Sequence, residues 1–293
     1  MRSLFNIGLL LLTSILARSV IAAHLEASLV PHSAFFGGLG VSGASVNFES
    51  QRVYAGGTTW QPGPIIGWGA GSTDVRLSTR SALVPVIQAG YFKHFSSRPW
   101  TWGGKISYSY FNVSTERGLL IPQTGGVTET THGVTTTSPF TGNYTVQNYR
   151  QTMNHQIALT PLIGRSFEKN YVYLGGGPTF AQTTTSIENM ASPIAFVNGV
   201  PISPTGLENG SHYSTNQWLF GGMAMVGVSY FINPSWFLDL NYSYAMTGTK
   251  TSRWGGAWSD TLPDGSARTG NNAGTSSGRV NTQACSLSMN VSF

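Results

Sequence analysis

The sequence predicts an all-β chain that closes into an eight-stranded antiparallel up-and-down transmembrane β-barrel, with four long extracellular loops and three short periplasmic turns. The first observation is composition: only 9% of the 293 residues are charged, 36 are glycine, and the mean hydropathy is −0.03. So few charges solvate a surface poorly. Beyond the N-terminus, however, there is no apolar run of the length that a membrane helix needs. Since lipid admits only helices and closed barrels, alternating strands must cross the membrane.

The first 23 residues are predicted to be a signal peptide. Arg2 supplies positive charge, residues 7–16 are apolar, and small residues near Ala22 and Ala23 suit cleavage. Arg18 makes the apolar stretch too short for the alternative interpretation, a membrane anchor. We therefore expect an exported chain whose residues 24–293 form one barrel domain.

Strict alternation of apolar and polar residues is the second observation, and it is clearest near the C-terminus. The last strand ends with one apolar face and one polar face, and the strand that begins at Trp236 repeats the pattern, as expected between lipid and lumen. The residues predicted to face lipid are Trp236, Leu238, Leu240, Tyr242, Tyr244 and Met246 on one strand, and Cys285, Leu287, Met289, Val291 and Phe293 on the other.

Five earlier strands show the same period with less regularity. Their predicted outward residues are Ile87, Ala89, Tyr91 and Phe95; Trp102, Ile106, Tyr108 and Tyr110; Ile157, Leu159 and Ile163; Val172, Leu174 and Phe180; and Trp218, Phe220, Ala224, Val226, Val228 and Tyr230. A glycine-rich strand at about residues 35–48 completes the set of eight, but its two faces cannot be assigned from the sequence.

The third observation is the spacing of the connections. Tight turns at residues 96–99, 168–170 and 233–235 alternate with long segments at 49–80, 116–149, 186–212 and 250–279, which are rich in Gly, Thr, Ser, Asn and Pro. Short periplasmic turns and long extracellular loops are typical of outer-membrane barrels. Aromatic residues near the short turns predict an interfacial girdle: Phe95, Trp100, Trp102, Phe167, Tyr171, Tyr173, Phe231 and Trp236.

With these features the chain resembles the small outer-membrane barrels typified by the OmpA transmembrane domain, OmpX and the opacity surface antigens. The resemblance covers the mature chain, and its most specific feature is the final Ser288-Met289-Asn290-Val291-Ser292-Phe293. It implies that Phe293 helps the barrel-assembly machinery to recognise the chain. The loops are longer than in the smallest members of the family, which leaves their ligand open.

The candidate polar site lies in the lumen. Lys105 and Asp239 fall on inward positions at similar predicted heights, and opposite charges in a narrow lumen need partners, so we expect the two to meet; separate hydration is the alternative. Gln156, Asn241 and Gln283 are also predicted to face inward. Eight strands leave an interior only wide enough for side chains, which argues against the alternative of a small diffusion pore.

The enzymatic alternative is a lipid A deacylase, a barrel enzyme with a His-x-Ser motif. His212 and Ser214 match this spacing, and residues two apart on a strand lie side by side. The motif is weak, because His94 and Ser96 match it too, and no carboxylate follows on the next strand to orient His212. An ordinary polar strand end is the simpler interpretation. No phosphate loop, zinc spacing or dinucleotide fingerprint occurs, so neither a cofactor nor a metal is expected.

The predicted function is therefore non-enzymatic, with the four long segments serving adhesion, host interaction or envelope integrity. The expected partners are outer-membrane lipids, lipopolysaccharide and an extracellular ligand or host surface. The net charge of +5 comes from scattered basic residues, which gives no reason to expect a nucleic-acid partner. Cys285, the single cysteine, is expected to be a small lipid-facing residue rather than a reactive thiol.

Overall fold

The structure, a computed structural model, describes residues 28–63, 65–95, 99–202, 212–261 and 265–293. The predicted signal peptide lies outside these residues, as do Ser96 and the 203–211 portion of one long segment. The described chain is built from antiparallel strands. They are β1 (Ser33–Gln61), β2 (Ile65–Val75), β3 (Arg80–His94), β4 (Trp100–Thr131), β5 (Val134–Ser166), β6 (Asn170–Val197), β7 (Val200–Ile202), β8 (His212–Asn233), β9 (Trp236–Thr247), β10 (Lys250–Thr261) and β11 (Ala267–Ser292).

Eight of these strands close into a ring, which confirms the predicted barrel. Its order is β1, β3, β4, β5, β6, β8, β9 and β11, with each strand antiparallel to its neighbours. The ring closes where β1 pairs with β11, from Phe36 opposite Ser292 onward. Closure leaves the ring without an exposed edge, as spanning a bilayer requires. Within the described residues, no helix is long and apolar enough to cross a bilayer.

The outer face of the ring is apolar, as the alternation predicts. Its exposed side chains include Leu174, Ile163, Phe220 and Leu287. The structure also shows which residues of the first strand face outward and which face the lumen. Residues of β1 that point outward are Phe35, Leu39 and Val41, whereas Phe36 is buried inside. An apolar outer band around a closed ring is the arrangement that acyl chains solvate.

Where the structure describes them, the four long connections consist mainly of β-strand rather than irregular loop. β4 and β5 contain 32 and 33 residues, about three times what a bilayer needs, and they meet at the tight turn His132-Gly133. Both turn residues have positive φ (51° and 80°), as do Asn198 and Gly199 (52° and 75°) between β6 and β7. This geometry suits two-residue hairpin turns. β2, β7 and β10 lie in these extensions, outside the eight-stranded ring.

The barrel interior alternates between apolar and polar layers instead of being uniformly polar. Three clusters of buried apolar residues fill it, centred on Phe36 and Phe237, on Val46 and Phe111, and on Ile121 and Tyr149. A narrow bore allows side chains from opposite walls to touch, and burying apolar groups there is favourable. Four of the polar residues predicted to face inward are buried in this interior: Lys105, Gln156, Asp239 and Asn241.

Two predictions about side-chain direction are wrong. Tyr171, Tyr173 and Phe231, expected in the interfacial girdle, are buried in the lumen, because strand parity sends them opposite to Val172 and Tyr230. Gln283, expected in the lumen, is exposed on the outer face that also carries Cys285. The girdle is formed instead by outward rings that include Phe95, Trp100, Trp102, Tyr230 and Trp236.

Candidate functional site

Lys105 and Asp239 meet inside the barrel. Lys105 Nζ lies 3.1 Å from Asp239 Oδ2, and both side chains are only 3% exposed. Lys105 projects from β4 and Asp239 from β9, which lie on different sides of the ring, so the bond spans the lumen. Two charges buried this deeply are tolerated when they are paired and hydrogen-bonded.

The Asp239 carboxylate accepts further hydrogen bonds from its own strand and from neighbouring strands. Tyr173 donates its hydroxyl hydrogen to Oδ1 at 2.7 Å, and Ser229 donates to the same oxygen at 3.0 Å. Asn241 Nδ2 donates to Oδ2 at 3.1 Å. Lys105 Nζ also donates to the Tyr173 hydroxyl oxygen at 3.2 Å and lies over its ring. A hydrogen-bonded network of side chains from four strands therefore crosses the periplasmic half of the lumen.

Gln88 extends this network to the closing strand. Its Nε2 donates to Ser288 Oγ at 2.7 Å and to Asn290 Oδ1 at 2.8 Å, and it lies 3.4 Å from Asp239 Oδ2. The inward-facing polar residues predicted from the sequence do not include Gln88, Tyr173 and Ser229. Parity along β6 and β8 places the last two inward, so strand alternation carried the signal.

Aromatic side chains fill the lumen below this network, towards its periplasmic end. The rings of Phe231 and Phe237 stack with centroids 4.7 Å apart, and Phe36 meets Phe237 edge to face at 5.5 Å. The backbone nitrogen of Leu29 donates to the carbonyl of Glu168 at 2.8 Å, which ties the segment before β1 to the β5–β6 turn. A cavity above the network has a volume of about 30 Å³, enough for one or two waters.

A second polar layer crosses the lumen in the extracellular half. The Tyr149 hydroxyl lies 2.7 Å from Ser276 Oγ and donates to Gln51 Oε1 at 3.2 Å, while Gln151 Nε2 donates to the Tyr149 oxygen at 2.6 Å. Gln151 and Thr185 exchange hydrogen bonds of 2.8 and 3.1 Å. Burial raises the pKa of the Tyr149 phenol, so the hydroxyl keeps its proton and remains a donor.

His212 and Ser214 occupy the outer face of the extracellular half of β8. His212 Nδ1 lies 3.7 Å from Glu188 Oε1, and the two residues are paired across β8 and β6. A carboxylate thus stands beside His212, but on the preceding strand rather than the next one. No hydrogen bond joins His212 to Ser214 among the described side chains, and Ser214 is paired with Ser186. Both residues lie beyond Trp218 and Phe220 of β8, on the side away from the periplasm.

Phe293 closes the chain on the barrel wall. Its backbone nitrogen donates to the Phe35 carbonyl at 2.9 Å, and the Phe35 nitrogen donates back to the Phe293 carbonyl at 3.1 Å. The Phe293 ring is 81% exposed, so it points away from the lumen and is accessible from outside. Cys285 is exposed on the same face of β11. Over the described ranges, no group of three or more His, Cys, Asp or Glu residues has the arrangement of a metal site.

An apolar outer band, a lumen bridged by side chains and long hairpins at one end define the class: the protein is an eight-stranded transmembrane β-barrel. No family model matches the chain, and no curated protein matches it.

Among solved structures, the chain is similar to Ail, the attachment invasion locus protein of Yersinia pestis, with 13% identity over 87% of this chain and 99% of that chain and a TM-score of 0.29. It is similar to OprG of Pseudomonas aeruginosa, with 8% identity over 91% and 99% and a TM-score of 0.35. It is also similar to Neisserial surface protein A, with 14% identity over 82% and 97% and a TM-score of 0.27. At these TM-scores the similarities carry no weight for function.

Proposed function

We propose that the protein is a non-enzymatic surface protein of a Gram-negative outer membrane, and that its extracellular hairpins bind a ligand or host surface. The observation that carries the proposal is the construction of the extracellular half. β1, β4 and β5 continue far beyond the length of a membrane span and enclose their own apolar layer around Ile121 and Tyr149. A packed core holds the outer surface of the hairpins in a fixed shape, which lowers the entropy cost of binding.

The filled lumen supports a binding role over the alternative of a diffusion pore. Apolar clusters at three levels and the Lys105–Asp239 pair occupy the bore formed by the described strands, which leaves little room for solutes. The proposal includes export by the signal peptide 1–23, insertion by the barrel-assembly machinery through Phe293, and contact with lipopolysaccharide where the hairpins leave the lipid.

The geometry gives the deacylase alternative one supporting contact, that between His212 and Glu188. Nucleophilic catalysis also needs a serine within hydrogen-bond reach of its base, and Ser214 has no such bond to His212. A comparison of lipid A mass from strains carrying the wild-type chain or Ser214→Ala tests the alternative. An unchanged deacylation pattern is expected, and loss of a deacylated species in the variant would establish catalysis.

The proposed binding role is tested by cell adhesion. Strains with and without the gene are compared for attachment to host epithelial cells, with outer-membrane amounts of the protein matched by immunoblot. We expect weaker attachment without the gene and recovery on complementation. A second complemented strain carries the barrel with residues 116–149 replaced by a short hairpin turn, and it should attach less than the wild type. Equal attachment by all strains would refute the adhesion role.

A further inference from the structure

The outer surface of the extracellular hairpins carries two exposed tryptophans on adjacent strands. Trp60 of β1 is 40% exposed and Trp68 of β2 is 50% exposed. Trp60 is paired with Ile66, and Trp68 with Thr58, so the two indoles are diagonal neighbours on one face. The position of Trp68 depends on Gly126 of β4, because a Cβ there would come within 3.0 Å of the indole ring.

Short polar side chains extend this face across two further strands. Trp60 is opposite Thr269 of β11, which is opposite Ser259 of β10, and in the next row Thr58 is opposite Asn271. Trp60, Ser259, Thr269 and Asn271 line an open cleft of about 470 Å³, within the size range of small-ligand sites. Within the described part of the chain, the side chains of Ser259, Thr269 and Asn271 make no hydrogen bonds, so their polar groups are available.

Among the described residues, none of those that line the cleft has a charged side chain. Asp260 and Arg268, the ionisable residues nearest along β10 and β11, belong to the opposite face of the sheet, where they form a 2.7 Å ion pair. Arg268 lies over the Trp258 ring on that inner face. On the outer face, the charged residue of β10 nearest the cleft is Arg253, which lies four residues before Ala257 of the cleft lining. A phosphate or sulfate group would therefore find no cation among the residues that line the cleft.

We infer that this face, defined by Trp60, Trp68, Ser259, Thr269 and Asn271, binds neutral carbohydrate. The C–H face of a pyranose ring stacks on an exposed indole, and its hydroxyl groups exchange hydrogen bonds with amide and hydroxyl side chains. Tryptophans fixed on a sheet contribute contact area at little entropic cost. A face buried against protein would be expected to carry a larger apolar centre. The inference rests on the proposed binding role and names its ligand class and its site.

The test uses the full chain refolded in a zwitterionic detergent that has no sugar headgroup. Neutral oligosaccharides of the hexose and N-acetylhexosamine types are printed on an array beside heparin as the anionic probe, and the best neutral probe is then titrated by calorimetry. We expect neutral glycans to bind, and Trp60→Ala and Asn271→Ala each to lower the affinity, the tryptophan variant by at least about tenfold. Leu120→Ala, which removes another exposed apolar side chain of the extracellular half, should bind as the wild type does.

Several outcomes would overturn this inference. They are binding to heparin alone, equal neutral-glycan affinity for Trp60→Ala and the wild type, and no glycan binding at all. A Trp60-dependent dimer in analytical ultracentrifugation without glycan binding would instead assign the face to contact between two copies. The adhesion assay is run in parallel, so the two proposals fail separately. Gene-dependent attachment without glycan binding rejects only the carbohydrate site, whereas absence of gene-dependent attachment rejects the proposed function.

Discussion

Tyr173 donates a 2.7 Å hydrogen bond to Oδ1 of Asp239, while Lys105 approaches the other carboxylate oxygen at 3.1 Å. Both oxygens of the buried carboxylate are thus engaged, and the ammonium of Lys105 is shared between the phenol and the acid. Loss of one member of this trio removes a hydrogen bond from each of the other two. The network therefore couples strands β4, β6 and β9 across the lumen.

Removing one partner of the Lys105–Asp239 pair should destabilise the barrel strongly. Lys105→Met or Asp239→Asn leaves an unpaired or under-bonded group in the lumen, and each change should lower the free energy of unfolding by about 3–5 kcal/mol. The double variant Lys105→Met/Asp239→Leu should recover most of that loss, because no charge remains to be compensated. Urea unfolding of the barrel in lipid vesicles measures all three.

The exposed pair of Glu116 and Arg150 provides the control for this experiment. Its nitrogen–oxygen distance is 2.7 Å, shorter than that of the lumen pair, but both side chains are more than 40% exposed. Glu116→Gln should therefore cost less than about 1 kcal/mol. If the variants of both pairs lost similar amounts of unfolding free energy, burial would not determine the strength of the lumen network.

Gly227 is required for Tyr173 to reach Asp239. A Cβ at position 227 would collide with the hydroxyl and Cζ of Tyr173, so Gly227→Ala must displace the ring and break its hydrogen bond. Overpacking of this kind should lower the free energy of unfolding by about 1–3 kcal/mol. Gly222→Ala, on the same strand where a Cβ meets nothing within 4 Å, is the matched control in the same urea titration. A neutral Gly227→Ala would show that the ring is free to move aside.

The prediction of an eight-stranded ring is confirmed. It could be made because the strands are recognisable from local sequence alone. Apolar and polar residues alternate along β9 and β11 because every second side chain faces lipid. Leu240 and Leu287, which are paired across these two strands, are examples. The outward placement of the aromatics failed for Tyr171, Tyr173 and Phe231, because proximity to a turn outweighed parity in that prediction. Aromatic residues near a turn fill the mouth as readily as they mark the interface.

The extended hairpins could not be predicted from composition. The segments 49–80 and 116–149 are rich in Gly, Thr and Ser, which indicates loops, yet they form β2 and the distal halves of β1, β4 and β5. Their stability comes from long-range contacts, such as that between Tyr149 and Ser276, which no local window contains. The face around Trp60 and Trp68 could not be predicted for the same reason, because its residues come from four strands that are distant in sequence.

The filled lumen predicts that the purified protein does not conduct. In planar bilayers with 1 M KCl as the test electrolyte, we expect no stable open level, because apolar layers interrupt the polar ones. A general porin reconstituted in the same bilayers is the positive control. Discrete, reproducible channel openings that persist in an independently refolded preparation would contradict the filled lumen and favour the pore.

Tyr149→Phe should loosen the extracellular half without affecting the membrane-spanning half. The variant loses the hydroxyl that contacts Gln51 and Ser276 and leaves Gln151 without one acceptor, at a cost of about 1–3 kcal/mol. We expect faster hydrogen exchange in the residues around Tyr149 and unchanged exchange near Asp239. Tyr54→Phe, which alters an exposed phenol, should change neither region. Uniformly faster exchange over the whole barrel would show that the two halves unfold as one unit.

Phe293→Ala should separate the stability of the barrel from its assembly in the cell. The terminal residue is held to Phe35 by two backbone hydrogen bonds that alanine preserves, and its ring is almost fully exposed. The refolded variant should therefore unfold within about 0.5 kcal/mol of the wild type, as surface substitutions usually do. Its outer-membrane amount should nevertheless fall severalfold if the ring is read by the assembly machinery. Met289→Ala, an exposed apolar change on the same face of β11, is the control, and equal membrane amounts of both variants would exclude a recognition role for Phe293.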